Sequence, residues 1–161
     1  MSIFRKKKYR VEISCPISGQ VYAVTETADA AFSKQLMGDG VMIRPSEGNL
    51  YAPCDAKVEM VFPTKHAIGL RLRDNSAILL HFGLDTVELN GNGFELFVEQ
   101  GQKVSAGELL LKADLPYLQA HAKDDCLIMV ATELAANSVL HYSCGCFSRG
   151  DMLGAIEEQK G

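Results

Sequence analysis

Tryptophan is absent from this 161-residue chain, and so is any excess of positive charge. Sixteen Lys and Arg stand against 20 Asp and Glu, a formal net charge of −4. That balance argues against a general nucleic-acid binder, because phosphate contacts need clustered cations. No apolar run approaches the roughly 20 residues of a membrane helix, so no direct membrane insertion is expected. The basic stretch Arg5 to Lys8 is not followed by an apolar segment and does not read as a signal peptide. Cysteines are few and odd in number, five, without paired spacing. Such usage fits a reduced, cytoplasmic chain better than a disulfide scaffold. No sustained 3.6-residue apolar stripe of the kind a helical bundle needs is present.

What is present is the composition of one compact domain, 47% hydrophobic and 22% charged, with 14 Gly. Residues 1–10 read as a flexible tail, since Lys6, Lys7 and Lys8 have no apolar neighbours. Residues 11–161 read as a single domain, and Met1 with its short tail points to a free-standing protein. Short apolar runs occur at Gln20–Val24, Gly40–Ile43, Lys57–Val61, Ala67–Leu72, Ala77–Phe82, Phe94–Val98, Leu109–Lys112 and Leu127–Ala131. Turn signals such as Pro-Ile-Ser-Gly and Asn-Gly-Asn-Gly separate them. Many short strands at short spacing predict a β-sandwich or barrel. Asp29–Leu36, Leu115–Ala122 and Thr132–Val139 are the segments expected to hold helical turns.

The sequence also repeats itself. Pro16-Ile17-Ser18-Gly19-Gln20-Val21 resembles Pro53-Cys54-Asp55-Ala56-Lys57-Val58. Val104-Ser105-Ala106-Gly107-Glu108-Leu109-Leu110 resembles Phe147-Ser148-Arg149-Gly150-Asp151-Met152-Leu153. Paired copies at these positions predict two intertwined halves.

Of the four histidines, His66 and His81 lie in one hairpin-like segment around Arg73-Asp74-Asn75-Ser76. A two- or four-residue loop would set His66 opposite His81 or Gly83, with both imidazoles on one face. A three-residue loop without a bulge would put them on opposite faces. A polar side chain in the apolar run Ala77–Gly83 is costly unless hydrogen-bonded or exposed. Co-facing imidazoles suit a nucleophile with a hydrogen-bonding partner for a phosphoryl group, or a metal site with Asp85 as a third ligand. A Ser-His-Asp triad has no supporting signal, because no Gly-x-Ser-x-Gly occurs. His121 and His141 read as solvated or structural, and Cys144-Gly145-Cys146 as buried or idle thiols.

Longer runs carry a family likeness. Phe32-Ser33-Lys34-Gln35-Leu36-Met37-Gly38-Asp39-Gly40-Val41, Pro45-Ser46-Glu47-Gly48, Phe62-Pro63-Thr64-Lys65-His66-Ala67-Ile68-Gly69 and His81-Phe82-Gly83-Leu84-Asp85-Thr86-Val87-Glu88-Leu89 resemble the IIA domain of the glucose family in the bacterial sugar phosphotransferase system. The likeness spans roughly residues 11–156. It implies an all-β fold, an antiparallel sandwich of duplicated lipoyl-like halves with short helical turns. It implies a phosphoryl carrier whose phosphorylated histidine, modified on Nε2, matches His81. The second active-site histidine matches His66, and its supporting threonine matches Thr64. An apolar ring matches Phe32, Leu36, Met37, Phe62, Leu79 and Val87, with Asp29 and Asp85 at its rim. Phe32, Leu36, Met37, Phe62 and Val87 are expected to form one exposed patch around His81. The implied partners are the phosphocarrier HPr and a cysteine on the IIB domain of a sugar permease, with no cofactor and no metal. Leu79 stands where some relatives have Phe, and Cys54-Asp55-Ala56 replaces the usual Val-Asp-Gly. The alternative is a zinc-dependent hydrolase using His66, His81 and Asp85; the lack of any His-x-His leaves its ligand set incomplete.

Overall fold

Short β-branched and leucine-rich runs closed by Gly, Pro and Asn favour strands over helices, and strands dominate the computed structural model, which describes residues 9–159. In chain order they are Arg10–Ser14 (β1), Gly19–Ala23 (β2), Asp39–Pro45 (β3), Asn49–Tyr51 (β4), Ala56–Val61 (β5), Ala67–Leu72 (β6) and Ala77–Leu84 (β7). Phe94–Leu96 (β8), Lys103–Val104 (β9), Leu109–Ala113 (β10), Asp124–Glu133 (β11), Ser138–Tyr142 (β12), Gly145–Phe147 (β13) and Met152–Glu158 (β14) follow. The helices are Ala30–Ser33 (α1) and Leu115–His121 (α2), with 3-10 turns at Val24–Glu26 and Thr86–Leu89. All the strand pairings are antiparallel, as expected of the sandwich.

One eight-stranded sheet runs β13-β2-β3-β11-β7-β6-β5-β9, and two three-stranded sheets run β1-β14-β12 and β4-β10-β8. The order is a palindrome of equivalent strands. Hydrogen bonds at the repeated motifs show the equivalence. The Cys15 amide donates to the Asp151 carbonyl (2.7 Å) and the Gly150 amide to the Cys15 carbonyl (2.9 Å). In the other copy the Ala52 amide donates to the Glu108 carbonyl (2.8 Å) and the Gly107 amide to the Ala52 carbonyl (2.8 Å). A reciprocal pair joins the copies: the Ser14 amide donates to the Pro53 carbonyl and the Tyr51 amide to the Pro16 carbonyl, both 2.8 Å. One half is continuous, β4 to β10, and is inserted between β3 and β11 of the other. This is the intertwined duplication that the repeated motifs predict.

The strand β7 sits near the centre of the large sheet, between β11 and β6. Its two faces enter different cores. Ile78, Leu80 and Phe82 join the main core with Leu70, Leu127 and Met129. Leu79 and Leu84 join a smaller cluster with Phe32, Met42, Ala67, Ile128 and Val130. Burial on both faces explains why the run Ala77–Leu84 shows no polar alternation.

Two expected elements differ. Thr132–Val139 is not helical: β11 continues to Glu133, a turn with Asn137 at φ 61° follows, and β12 begins at Ser138. Of the expected tail 1–10, residues 1–8 lie outside the described residues. Arg10 opens β1 opposite Glu157 and so belongs to the sheet, and the Tyr9 carbonyl just before it accepts from the Glu158 amide (3.0 Å).

Candidate functional site

His81 projects from β7 with Ala67 of β6 and Ile128 of β11 directly opposite on either side. The hairpin register differs from the two expected. Ala67 pairs with His81 and Arg71 with Ala77, and the Leu72 amide donates to the Ser76 carbonyl (2.8 Å). The loop therefore has three residues, Arg73-Asp74-Asn75, with Asn75 left-handed at φ 70°. Asp74 braces it by accepting from the Ser76 amide (2.9 Å) and hydroxyl (3.0 Å). In that register pleat alternation alone would send His66 to the face opposite His81. The two rings nevertheless meet edge-on, with centroids 4.9 Å apart and planes at 83°. The reason is that β6 begins at Ala67. His66 belongs to the preceding turn, where the Lys65 amide donates to the Phe62 carbonyl (2.8 Å) and Lys65 takes φ 62°.

That turn also fixes the second ring. The Thr64 hydroxyl lies 2.8 Å from Nδ1 of His66, and the Phe62 ring packs edge-on against the imidazole at 5.3 Å. His66 is only 3% exposed. With Nδ1 engaged by Thr64, Nε2 is the free nitrogen. Desolvation lowers the pKa of His66, partly offset by a hydrogen bond with the Thr64 backbone.

His81 is half-buried, and its Nδ1 is enclosed without a fully formed hydrogen bond, which leaves Nε2 as the nitrogen open to a visitor. Desolvation pushes its pKa down to about 4, and repulsion from His66 adds to the shift. The Gly83 carbonyl and the Asp29 carboxylate only partly oppose it. Neutral imidazole with an available lone pair is therefore the form present at neutral pH, as a nucleophile requires.

The expected apolar ring is split by burial. Leu36 (74% exposed), Val87 (53%) and Met37 (41%) face solvent, and Phe62 is half-buried. Phe32 is only 6% exposed and packs against His81 at 5.1 Å between centroids; Leu79 is likewise buried. The expectation of one exposed patch is corrected for Phe32; Leu79, outside that expected patch, is buried with it. They are core beneath the site, because α1 folds back over the sheet and buries its one aromatic side chain there. Asp29 starts that helix by accepting from the Ala31 amide (2.8 Å), which holds its carboxylate near the imidazole. Asp85 is exposed, at φ 57°, just before the Thr86–Leu89 turn.

Three supporting residues have no assigned role in the sequence reading. Gly83 takes φ +78°, and a Cβ there would lie 2.4 Å from Thr86 Cγ2 and 2.9 Å from the Asp124 carbonyl oxygen. Thr86, fully buried, donates its hydroxyl to the Phe82 carbonyl (2.7 Å) and so ties down the chain leaving β7. Ile128 is visible only through the strand pairing. Gly83 and Thr86 both lie in the run starting at His81, which was their only sequence signal.

His121 is exposed at the end of α2, where its ring stacks on Tyr117 at 4.4 Å, and His141 is exposed on β12. Cys144 and Cys146 are exposed and not buried. Among the described residues no three His, Cys, Asp or Glu side chains are grouped to hold a metal ion, so the zinc set His66, His81 and Asp85 does not assemble.

The class that the fold and site define is a fully antiparallel, duplicated β-sandwich with two abutting imidazoles on its large sheet. The family model of the phosphoenolpyruvate-dependent sugar phosphotransferase system, EIIA 1, matches residues 11–136, and the chain belongs to that family as a phosphotransferase component of the system. Among solved structures it is similar to the glucose permease IIA from Mycoplasma capricolum. Sequence identity is 34% and the TM-score 0.87, over 96% of this chain and 99% of that one. Among the described residues no helix is long and apolar enough to cross a membrane.

Proposed function

We propose that His81 is the phosphoryl acceptor, taking the group from the phosphohistidine of HPr and passing it to a cysteine on the IIB domain of a sugar permease in the cytoplasm. The Nε2 lone pair attacks phosphorus as the P–N bond to the donor imidazole breaks. In the second step a thiolate attacks the same phosphorus and the bond to Nε2 breaks. His66, oriented through Thr64, donates a hydrogen bond from Nε2 to the phosphoryl oxygens, where charge changes most between ground and transition states. No cofactor enters either step.

The observation that carries this reading is the edge-on pair itself, 4.9 Å between centroids, with one ring enclosed and the other half-open. A carrier must present its nucleophile to two macromolecules in turn, which a shallow setting permits and a deep cleft does not. Leu36, Met37 and Val87, with Phe62, form the apolar collar that excludes water on docking. Phe32 and Leu79 support it from below. Asp29 and Asp85 lie at the edge, where carboxylates steer a basic donor surface.

The test is incubation with a purified phosphotransfer chain and phosphoenolpyruvate, followed by mapping of the labelled residue. Acid-labile, base-stable label is expected on His81 and is expected to vanish in a folded His81→Ala variant. Retained labelling of that variant removes His81 from the role.

A further inference from the structure

The exposed cysteines lie well away from this site. Cys144 precedes β13 and Cys146 lies within it, at the edge of the large sheet. Four strand spacings separate β13 from β7, about 19 Å at ~4.8 Å each. The other three cysteines, Cys15, Cys54 and Cys126, are buried. Desolvation raises all three thiols, Cys54 and Cys126 to about 12. Thiolate chemistry is thereby closed to the interior and left to the surface pair.

The spacing lets that pair react with itself. Consecutive Cα atoms are ~3.8 Å apart, so Cα atoms two positions apart span at most about 7 Å. A disulfide needs roughly 4.4–6.8 Å, so only a small fold of the intervening residue is required. That residue is Gly145, already at φ +129°, where side chains are strained. The nearest atom to a Cβ there would be the Phe147 ring at 4.0 Å, so the space beside the residue is open. Moving the backbone disturbs little, because β13 has three residues and pairs on one side only, with β2.

We propose that Cys144 and Cys146 form a redox-active dithiol that closes to a disulfide by exchange with a low-molecular-weight disulfide such as oxidised glutathione. Cys144, outside the strand, attacks first. Its thiolate displaces one glutathione thiolate and leaves a mixed disulfide. The Cys146 thiolate then attacks the Cys144 sulfur and displaces the second glutathione. Two protein thiols are oxidised, one small disulfide is reduced to two thiols, and the protons lost by the cysteines go to the departing thiolates. A ring this small is strained, which keeps it easy to reduce and the exchange reversible.

The experiment equilibrates the full chain with mixtures of oxidised and reduced glutathione, quenches with acid, alkylates and maps the peptides by mass. The expected result is a peptide in which both cysteines lose alkylation together, with the loss of two hydrogens and no bound glutathione, reversed by excess reduced glutathione. Cys146→Ser is expected to stop at glutathione on Cys144. Thermal melts and circular dichroism confirm that the variants are folded, so the readout does not depend on phosphoryl transfer. Stable glutathione adducts on the native pair, or thiols that stay alkylatable in fully oxidised glutathione, overturn the proposal.

Discussion

Acid should destabilise this protein through the same histidine that we propose as its nucleophile. The pKa of His81 falls from 6.5 to about 4 on folding, desolvation being the larger cause and repulsion from His66 the second. The unfolded chain therefore takes up the proton first. Stability from this group is fully present above pH 6.5 and is lost as the pH falls toward 4. At ~1.4 kcal/mol per pH unit the loss is about 3 kcal/mol, a large share of the 5–15 kcal/mol typical of a domain. His66 acts with the same sign. The comparison that isolates the effect is His81→Gln, which fills similar space and does not titrate. Urea denaturation of parent and variant at pH 7 and pH 4.5 should show the parent losing more stability by about 2–3 kcal/mol, whatever the carboxylates contribute to both. Histidine titration by NMR adds a check, since His66→Gln removes the repulsion and should raise the pKa of His81. Parallel stability curves, or an unmoved His81 titration in that variant, would refute the reasoning.

His66→Gln should still accept phosphate but pass it on roughly a hundredfold more slowly, a loss of about 3 kcal/mol of transition-state stabilisation. Rapid-quench transfer to a IIB domain measures this, and equal rates in variant and parent contradict the assignment. Met37→Lys should melt close to the parent while raising the KM for transfer from HPr, because a cation must be desolvated against a basic partner. Phe32→Ala should instead cost about 3 kcal/mol of stability; if Met37→Lys unfolds the domain, the collar is core after all.

Much of the large sheet was legible because its strands are long apolar runs with turn residues at both ends. The strands β1, β4, β9, β12, β13 and β14 left weaker traces, being short, edge-placed or alternating. Thr132–Val139 misled for a definite reason. Glu, Leu and Ala favour helix locally, but pairing of Glu133 with Ala77 extends β11 and overrides that preference. The histidine pair was legible as a pair but not in its register. Arg-Asp-Asn-Ser does not announce a three-residue loop, and nothing in Thr64-Lys65 announces a left-handed lysine. The two irregularities together bring His66 beside His81. The burial of Phe32 was equally hidden, since a helix as short as α1 has too few turns to show an inner face.

The duplication supplies its own control for the site. Gly19 and Ala56 occupy matching places after the repeated motifs, and they pair with Pro45 and Leu72. Carried one strand further, Gly40 faces Val130 as Ala67 faces His81. The counterpart of the proposed nucleophile is thus a buried valine, and the counterpart of its cross-strand neighbour is a glycine. A Cβ on Gly40 would lie 2.0 Å from the Met129 carbonyl oxygen and 2.7 Å from the Val130 Cα, both backbone atoms that cannot swing away. The half without the histidine is closed tight at this point, and the half with it carries a methyl group beside the ring. Gly40→Ala should therefore overpack the sheet and cost on the order of 1–3 kcal/mol or more, with phosphate acceptance unchanged in the folded fraction. Ala67→Gly should cost about 1–2 kcal/mol, from a lost buried methyl and added backbone freedom. Its further effect should be to loosen the His81 ring and slow transfer. Denaturation curves and single-turnover transfer on both variants separate the two roles. If Gly40→Ala is as stable as the parent, or if Ala67→Gly transfers at the parental rate, the two halves do not differ in the way this register requires.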